Sequence, residues 1–145
     1  MTFEIQTASW RDLNALRQLE QVCFEKDAWP LLDLVAVLTF AGIIRLKAAV
    51  DGKMVGFIAG DPERSEGIGW ITTVGVLPNY RRQGIARSLL AKCEECLSLP
   101  RLRLSVRSNN TAAIQLYQSQ GYHKIAVWSH YYIDHEDALV FEKVL

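Results

Sequence analysis

The residues best suited to chemistry stand in one run, Thr73-Val74-Gly75-Val76-Leu77-Pro78-Asn79-Tyr80-Arg81-Arg82-Gln83-Gly84-Ile85-Ala86-Arg87. A strand-like segment ends at Pro78, a basic turn follows, and Gly84 opens an amphipathic helix. The first amides of a helix lack intrahelical acceptors and lie at the positive end of its dipole, so such a start is an anion site. Gly84 and the small Ala86 put no bulky side chain over those amides, which leaves room for a phosphate. Arg81, Arg82 and Arg87 add charge that two phosphate groups can share. Two familiar phosphate loops do not fit. No Gly-Lys-Ser or Gly-Lys-Thr supplies a magnesium ligand, and a dinucleotide fingerprint needs three spaced glycines where this loop has Gly84 alone. On loop chemistry alone, an ordinary surface turn with solvated arginines competes with the anion site.

Cys93-x-x-Cys96 has the spacing of a redox pair or of half a zinc site. A zinc site needs two further ligands at a matching spacing, and none is near. A reactive pair usually sits at a helix start, whereas these two fall late in a helix beside Glu94 and Glu95, where a thiolate is disfavoured. Cys93 is expected to line a core face, with Cys96 as a second candidate, and no metal is expected.

The surrounding sequence supplies the scaffold. Residues 3–8 read as a strand, and Ser9 as the N-cap of a helix with apolar Leu13, Leu16, Leu19 and Cys23. Pro30 suits the first turn of a second helix running towards Gly42. Residues 43–50 and 53–60 are strands joined by Asp51-Gly52, a strong hairpin signal, and 67–77 is a third. Residues 84–99 form a helix with Ile85, Leu89, Leu90 and Cys93 on one side, stopped by Pro100. Residues 101–106 alternate cleanly, 110–120 form a helix ended by Gly121, and 122–133 with 138–145 close an antiparallel pair. This order predicts one α/β domain over residues 1–145, with a mixed, mostly antiparallel central sheet flanked by about four helices.

Composition fits that picture. A chain of 145 residues suits one domain, and its 16 basic and 16 acidic residues cancel. Zero net charge argues against broad electrostatic binding to nucleic acid or to an anionic membrane. The N-terminus lacks a basic start with an apolar run, and the apolar stretch from Leu31 is broken by Asp33. A soluble, cytoplasmic monomer or homodimer is the expectation.

Arg81-x-x-Gly84-x-Ala86, after a strand and at a helix start, resembles the Gln/Arg-x-x-Gly-x-Gly/Ala signature of the GNAT superfamily of N-acetyltransferases. Val106-Arg107-Ser108-Asn109-Asn110-Thr111-Ala112-Ala113-Ile114-Gln115-Leu116-Tyr117 with Gly121-Tyr122 resembles that family's second acyl-CoA motif. His130-Tyr131-Tyr132 followed by Glu136-Asp137-Ala138 resembles the C-terminal strands of bacterial ribosomal-protein alanine N-acetyltransferases. The likeness covers almost the whole chain and is weakest over the first two helices. It implies a GNAT fold and an enzyme using acetyl-CoA as co-substrate without a metal. Val74, Gly75 and Val76 would offer backbone groups to the acetyl and pantetheine portion, with a strand bulge there exposing an oxyanion donor. Arg81, Arg82, Gln83, Gly84, Ile85, Ala86 and Arg87 would cradle the pyrophosphate. Asn110 would hydrogen-bond the pantetheine arm, and Tyr117 would protonate the leaving thiolate. Without the resemblance, Tyr117 reads as a tyrosine packed on the inner face of a helix.

One position departs from the family pattern. Ser105 stands where the ribosomal-protein acetyltransferases carry a glutamate general base, and a serine cannot accept the proton alone near neutral pH. A peptide α-amine, with a pKa near 7.7–8.0, is roughly a tenth neutral at pH 7, against about one lysine amine in several thousand. An enzyme without a strong base therefore suits α-amines or other amines of low pKa. Glu66, His123 and His130 are candidate relays, each equally readable as a surface or core residue. Tyr131 and Tyr132 are expected to straddle the final sheet edge, one of them touching substrate. Trp29 falls where the superfamily lines its acceptor side, although helix periodicity explains it as core. Three functions follow as expectations: acetylation of a protein N-terminal α-amine; acetylation of a small amine such as an amino acid, polyamine or antibiotic; or a non-catalytic acyl-CoA-binding module.

Overall fold

Local signals set most of the elements in the computed structural model, which describes residues 2–145. Asp51 and Gly52 both take positive φ, 50° and 81°, and make the tight turn between β2 (Ile44–Val50) and β3 (Lys53–Glu63). Ser9 caps a short 3-10 turn, Trp10–Asp12, through a capping box: its hydroxyl accepts from the Arg11 amide and its own amide donates to Asp12 Oδ2 at 2.8 Å. The helix α1 (Leu13–Phe24) therefore begins a turn later than the cap position suggests. Pro30 is the N-cap of α2 (Leu31–Thr39), which ends short of Gly42.

Seven strands form one sheet in the order β1-β2-β3-β4-β5-β7-β6, with β1 at Glu4–Thr7, β4 at Ile68–Val76, β5 at Arg101–Arg107, β6 at His123–Trp128 and β7 at Ala138–Val144. Every pairing is antiparallel except β4 with β5. The apolar stripe of α3 (Ile85–Leu97) packs with α4 (Thr111–Ser119) on one face, against Val55, Ile58, Leu102 and Leu104. Helices α1 and α2 cover the other face, where Leu16, Leu19, Leu34 and Leu38 meet Phe57 and Ala59. This is the mixed, mostly antiparallel α/β domain with four helices that the element order implies. Cys93 is in the core but Cys96 is exposed. Three residues advance a helix by about 300°, which swings Cys96 off the stripe, and Leu97 takes the buried place.

The feature that makes a site is a split in the sheet. β4 and β5 pair only at Ile68↔Arg101, Gly69↔Leu102 and Trp70↔Arg103. Beyond these, β4 stays with β3 to Val76↔Gly56, β5 stays with β7 to Arg107↔Ala138, and the two strands part. The physical cause lies in β4. Its register against β3 shifts from Ala59↔Thr73 to Gly60↔Ile71, so Thr72 is an extra, bulged residue. A bulge bends and twists its strand, which carries residues 73–76 away from β5.

β6 is shorter than the expected strand over 122–133. After Trp128 the chain leaves the sheet in a turn closed by His130 N to Asp137 Oδ1 at 2.9 Å and His135 N to Tyr132 O at 2.8 Å, with His130 and His135 at positive φ. Tyr131 and Tyr132 are therefore loop residues, not sheet-edge residues. Among the described residues, no helix is long and apolar enough to cross a membrane.

Candidate active site

Backbone polarity along β4 is fixed by one bond: Leu77 N donates to Val55 O at 2.8 Å, so by strand alternation Gly75 also faces β3. Val74 and Val76 then turn their amides and carbonyls into the gap. Val76 O shows it directly, accepting from Arg81 Nε at 2.8 Å and from the Cys23 thiol at 3.5 Å. The bulge expected at Val74–Val76 lies instead at Thr72. Val74 faces open space because β5 has diverged, while its own pairing with β3 is regular. At Gly75 an added Cβ would stand 3.2 Å from Phe24 Cζ and 3.3 Å from Cys23 Sγ, so the end of α1 closes tightly on this stretch of β4.

At the head of α3 the N-cap is Gly84, and among the described residues no side-chain cap hydrogen bond is made there. Arg82 and Gly84 take left-handed φ of 62° and 83°, and a Cβ on Gly84 would meet nothing within 4 Å, so the turn is concave and open. Ala86 is half-buried behind it, and Ile85 is buried, so Ile85 offers only its backbone here. Arg82, Gln83 and Arg87 are exposed around the turn. Arg81 differs from a solvated surface arginine: its guanidinium folds inward to Val76 O and stands 3.9 Å from Cys23 Sγ. The loop thus turns one of its three arginines toward the split and leaves the other two around the head of α3.

Two adjoining cavities occupy the split. One, about 540 Å³, opens beside Pro78, Arg81 and Asn109. The other, about 590 Å³, lies between residues 71–74 of β4 and 104–107 of β5 and opens between Trp29 and the loop carrying Tyr131, Tyr132 and Ile133. Phe24, Asp27, Arg107 and Asn110 line both. Asn110 caps α4, its Oδ1 accepting from Ala113 N at 3.2 Å, which leaves its side-chain NH₂ for another partner. Tyr117 lies in the second cavity, and burial pushes its hydroxyl pKa above the usual tyrosine value, holding the proton on. Tyr132 is raised too, chiefly by burial, with the Asp27 charge adding, while Arg107 and the Ser105 hydroxyl pull it back.

Arg107 clamps the mouth. Its Nη2 donates to Asp27 Oδ1 at 2.7 Å and its Nε to Asp27 Oδ2, while Nη1 donates to Asp134 Oδ2 at 3.0 Å. The Tyr132 ring covers the guanidinium at 4.4 Å. One side chain from the end of β5 thereby ties the segment after α1 to the loop after β6. Trp70, Trp128, Tyr131 and Tyr132 continue from it as a chain of ring contacts with centroids 5.1 to 6.1 Å apart.

The candidate relays fall elsewhere. Glu66 sits in the β3–β4 turn, His123 is exposed on edge strand β6, and His130 is exposed with Nδ1 against His135 O at 3.2 Å. None lines the split. A carboxyl that sequence reading passed over is close instead. Glu20, only 1% exposed, accepts the Trp29 amide at 3.4 Å and the Thr73 hydroxyl at 3.3 Å. Burial pushes its pKa up to about 7, against the smaller lowering from those two hydrogen bonds. Trp29 is both things its position suggested: it packs on the α1–α2 core and lines the cleft.

Comparison with known proteins agrees with this geometry. Residues 10–122 match the model of the acetyltransferase (GNAT) family. The chain is 28% identical to an N-alpha-acetyltransferase of Sulfurisphaera tokodaii, covering 94% of this chain and 89% of that protein. It is 29% identical to the N-terminal acetyltransferase A complex catalytic subunit NAA10 of Arabidopsis thaliana, covering 97% of this chain and 77% of that one. The crystal structure of the ribosomal-protein-S18-alanine N-acetyltransferase from Escherichia coli superposes with a TM-score of 0.89 at 26% identity, over 99% of this chain and 94% of that chain. The parted strands, the uncapped glycine-opened helix facing them and the match over most of the chain have one explanation: this protein is an acetyltransferase and belongs to the GNAT family.

Proposed function

We propose that the protein transfers the acetyl group of acetyl-CoA to the N-terminal α-amine of a protein or peptide. In this reading the amides of residues 82–87 and the charges of Arg81, Arg82 and Arg87 hold the diphosphate. The pantetheine arm runs along Val74, Gly75 and Val76 and takes a hydrogen bond from Asn110. The thioester carbonyl meets the Val74 amide, which supplies the oxyanion donor. Tyr117 stands by the sulfur with its proton retained. A desolvated thiolate gains proton affinity for the same reason a buried tyrosine does, so donor and acceptor stay matched in the gap.

The observation that carries the α-amine assignment is the character of the cleft mouth. It is built from Trp29, Pro30, Tyr131, Tyr132 and Ile133, and the Asp27 carboxylate beside them is held by Arg107. A polyamine needs acidic partners for its further charges, whereas a peptide presents one amine and an uncharged backbone. Tyr131 and Ile133, 56% and 87% exposed, leave the mouth open to an extended chain. The relatives named as N-alpha-acetyltransferases point the same way. Three free thiols suit a reducing compartment such as the cytoplasm. Incubation with acetyl-CoA and a panel of N-terminal peptides should release free thiol and add one acetyl at the α-nitrogen. Silence across the panel together with turnover on polyamines would refute the assignment.

A further inference from the structure

We infer that Glu20 is the terminal proton acceptor for the attacking amine, reached through the hydroxyl of Thr73. The inference rests on the split as the acetyl-transfer site and holds for whichever primary amine enters it. The strand that would present a base, β5, offers Ser105, and Asp27 at the mouth is engaged by Arg107. Glu20 lies one layer behind β4. Its Oε2 takes the hydroxyl proton of Thr73 at 3.3 Å, and Thr73 itself lines the cleft. A threonine that has given its only hydroxyl proton to a carboxylate keeps lone pairs for a donor in the cleft. Thr73 is thus set to take a proton from the amine as it passes its own to Glu20.

The Thr72 bulge creates this contact. Side chains alternate across a strand, so in a regular β4 Thr73 would share a face with Ile71, which packs on the α3 side. The extra residue reverses the parity: Val74 and Val76 face α3, and Thr73 turns to α1 and Glu20. One irregularity therefore opens the sheet and joins a buried carboxyl to the opening. Among the described residues, the titratable and charged groups about Glu20 include the Cys23 thiol, three residues on in α1, and Arg81 beyond it, while β4 brings the Thr73 hydroxyl and the segment before α2 brings the Trp29 amide. Burial places the Glu20 pKa at about 7, where a base accepts and returns a proton most readily.

The step balances. The amine nitrogen bonds to the acetyl carbon, its surplus proton moves to Thr73 Oγ1, and the Thr73 proton moves to Glu20 Oε2. As the tetrahedral intermediate collapses, the C–S bond breaks, its electron pair leaves on sulfur, and Tyr117 supplies that sulfur's proton. Exchange with water then deprotonates Glu20 and reprotonates Tyr117.

The test is the pH dependence of kcat/KM for Glu20→Gln, Thr73→Val and Thr73→Ser, run in parallel on a peptide and on a small primary amine. In the parent, two ionisations, Glu20 and the α-amine, give log kcat/KM a slope of about two below neutrality; Glu20→Gln lowers the slope to about one and the rate by roughly 10²-fold. Thr73→Val, which keeps the side-chain shape, behaves as Glu20→Gln, and Thr73→Ser restores the parent profile. Coenzyme A affinity stays as in the parent, which separates this loss from misfolding. A Glu20→Gln or Thr73→Val enzyme with the parent slope and rate overturns the inference. Turnover of the small amine alone defeats the α-amine reading while its profiles still judge Glu20, and no turnover of any amine overturns both.

Discussion

Arg107 holds Asp27 in a two-pronged hydrogen bond that spans the mouth of the sheet split, joining residues 80 positions apart in the chain. The pair is mostly shielded from solvent, its Arg107 charge is fixed more firmly still by Asp27 and then Asp134, and Tyr132 covers it. Removing one partner of such a pair leaves the other desolvated and unmatched. Arg107→Ala should therefore loosen both loops that border the acceptor, raising KM for the peptide about tenfold. Asp27→Ala should do the same, and the double variant should cost less than the sum, with a coupling on the order of 1 kcal/mol in a mutant cycle. Additive effects would show that the two loops are positioned independently. Arg107→Lys should not rescue, because an ammonium cannot span both carboxylate oxygens.

Tyr117 is the proton donor to sulfur in this account. Tyr117→Phe should lower kcat by roughly 10²-fold and leave acetyl-CoA affinity within about threefold. Because burial raises its pKa above the usual 10.0, kcat of the parent should show no alkaline fall up to that pH. A fall centred well below it would assign the titration to a different group.

Burial of Glu20 also predicts a stability signature. Its pKa rises on folding from 4.5 to about 7, so between those values the folded state holds a proton that the unfolded chain has lost. Stability from this group is then undiminished below 4.5 and declines as pH rises through the window, by on the order of 2–3 kcal/mol. Glu20→Gln removes that penalty. Denaturant unfolding should find the variant more stable than the parent at pH 8 and nearly equal to it at pH 4.5. A destabilised variant at pH 8 would mean that the carboxylate is a structural anchor.

Much of this was legible in the sequence. The alternation of 101–107, the α3 stripe and the Asp51-Gly52 turn fixed their elements, because each is a local pattern with one good structural solution. The proposed diphosphate loop from Arg81 to Arg87 is legible as a candidate from its amides and charges, which need only local geometry. What could not be read was non-local. Thr72 looks like any strand residue until β3 is laid beside it, so the bulge that the resemblance implies at Val74–Val76 is corrected to Thr72 only by the pairing. Glu20 stands four residues after Leu16 and three before Cys23, on the buried stripe of α1, and a carboxylate there was the one available signal. Residues 129–133 read as strand because Tyr131, Tyr132 and Ile133 have strand-like side chains, whereas they lie in the loop after β6. Its turns depend on positive φ at His130 and His135, a conformation histidine tolerates better than most residues but does not by itself dictate.

The central claim is that the head of α3 grips a diphosphate and points a thioester between β4 and β5. Calorimetric titration with coenzyme A and with pantetheine, which lacks the diphosphate, tests it most directly. Coenzyme A should bind in the range of about 1 μM to 1 mM and pantetheine at least roughly 10²-fold more weakly. Gly84→Glu, which sets a carboxylate into the open turn, should bring coenzyme A down to the pantetheine level, while Gly84→Asn, tolerant of the same positive φ, should retain most of the affinity. Equal binding of the two ligands, or a Gly84→Glu protein that binds coenzyme A as the parent does, would contradict the account.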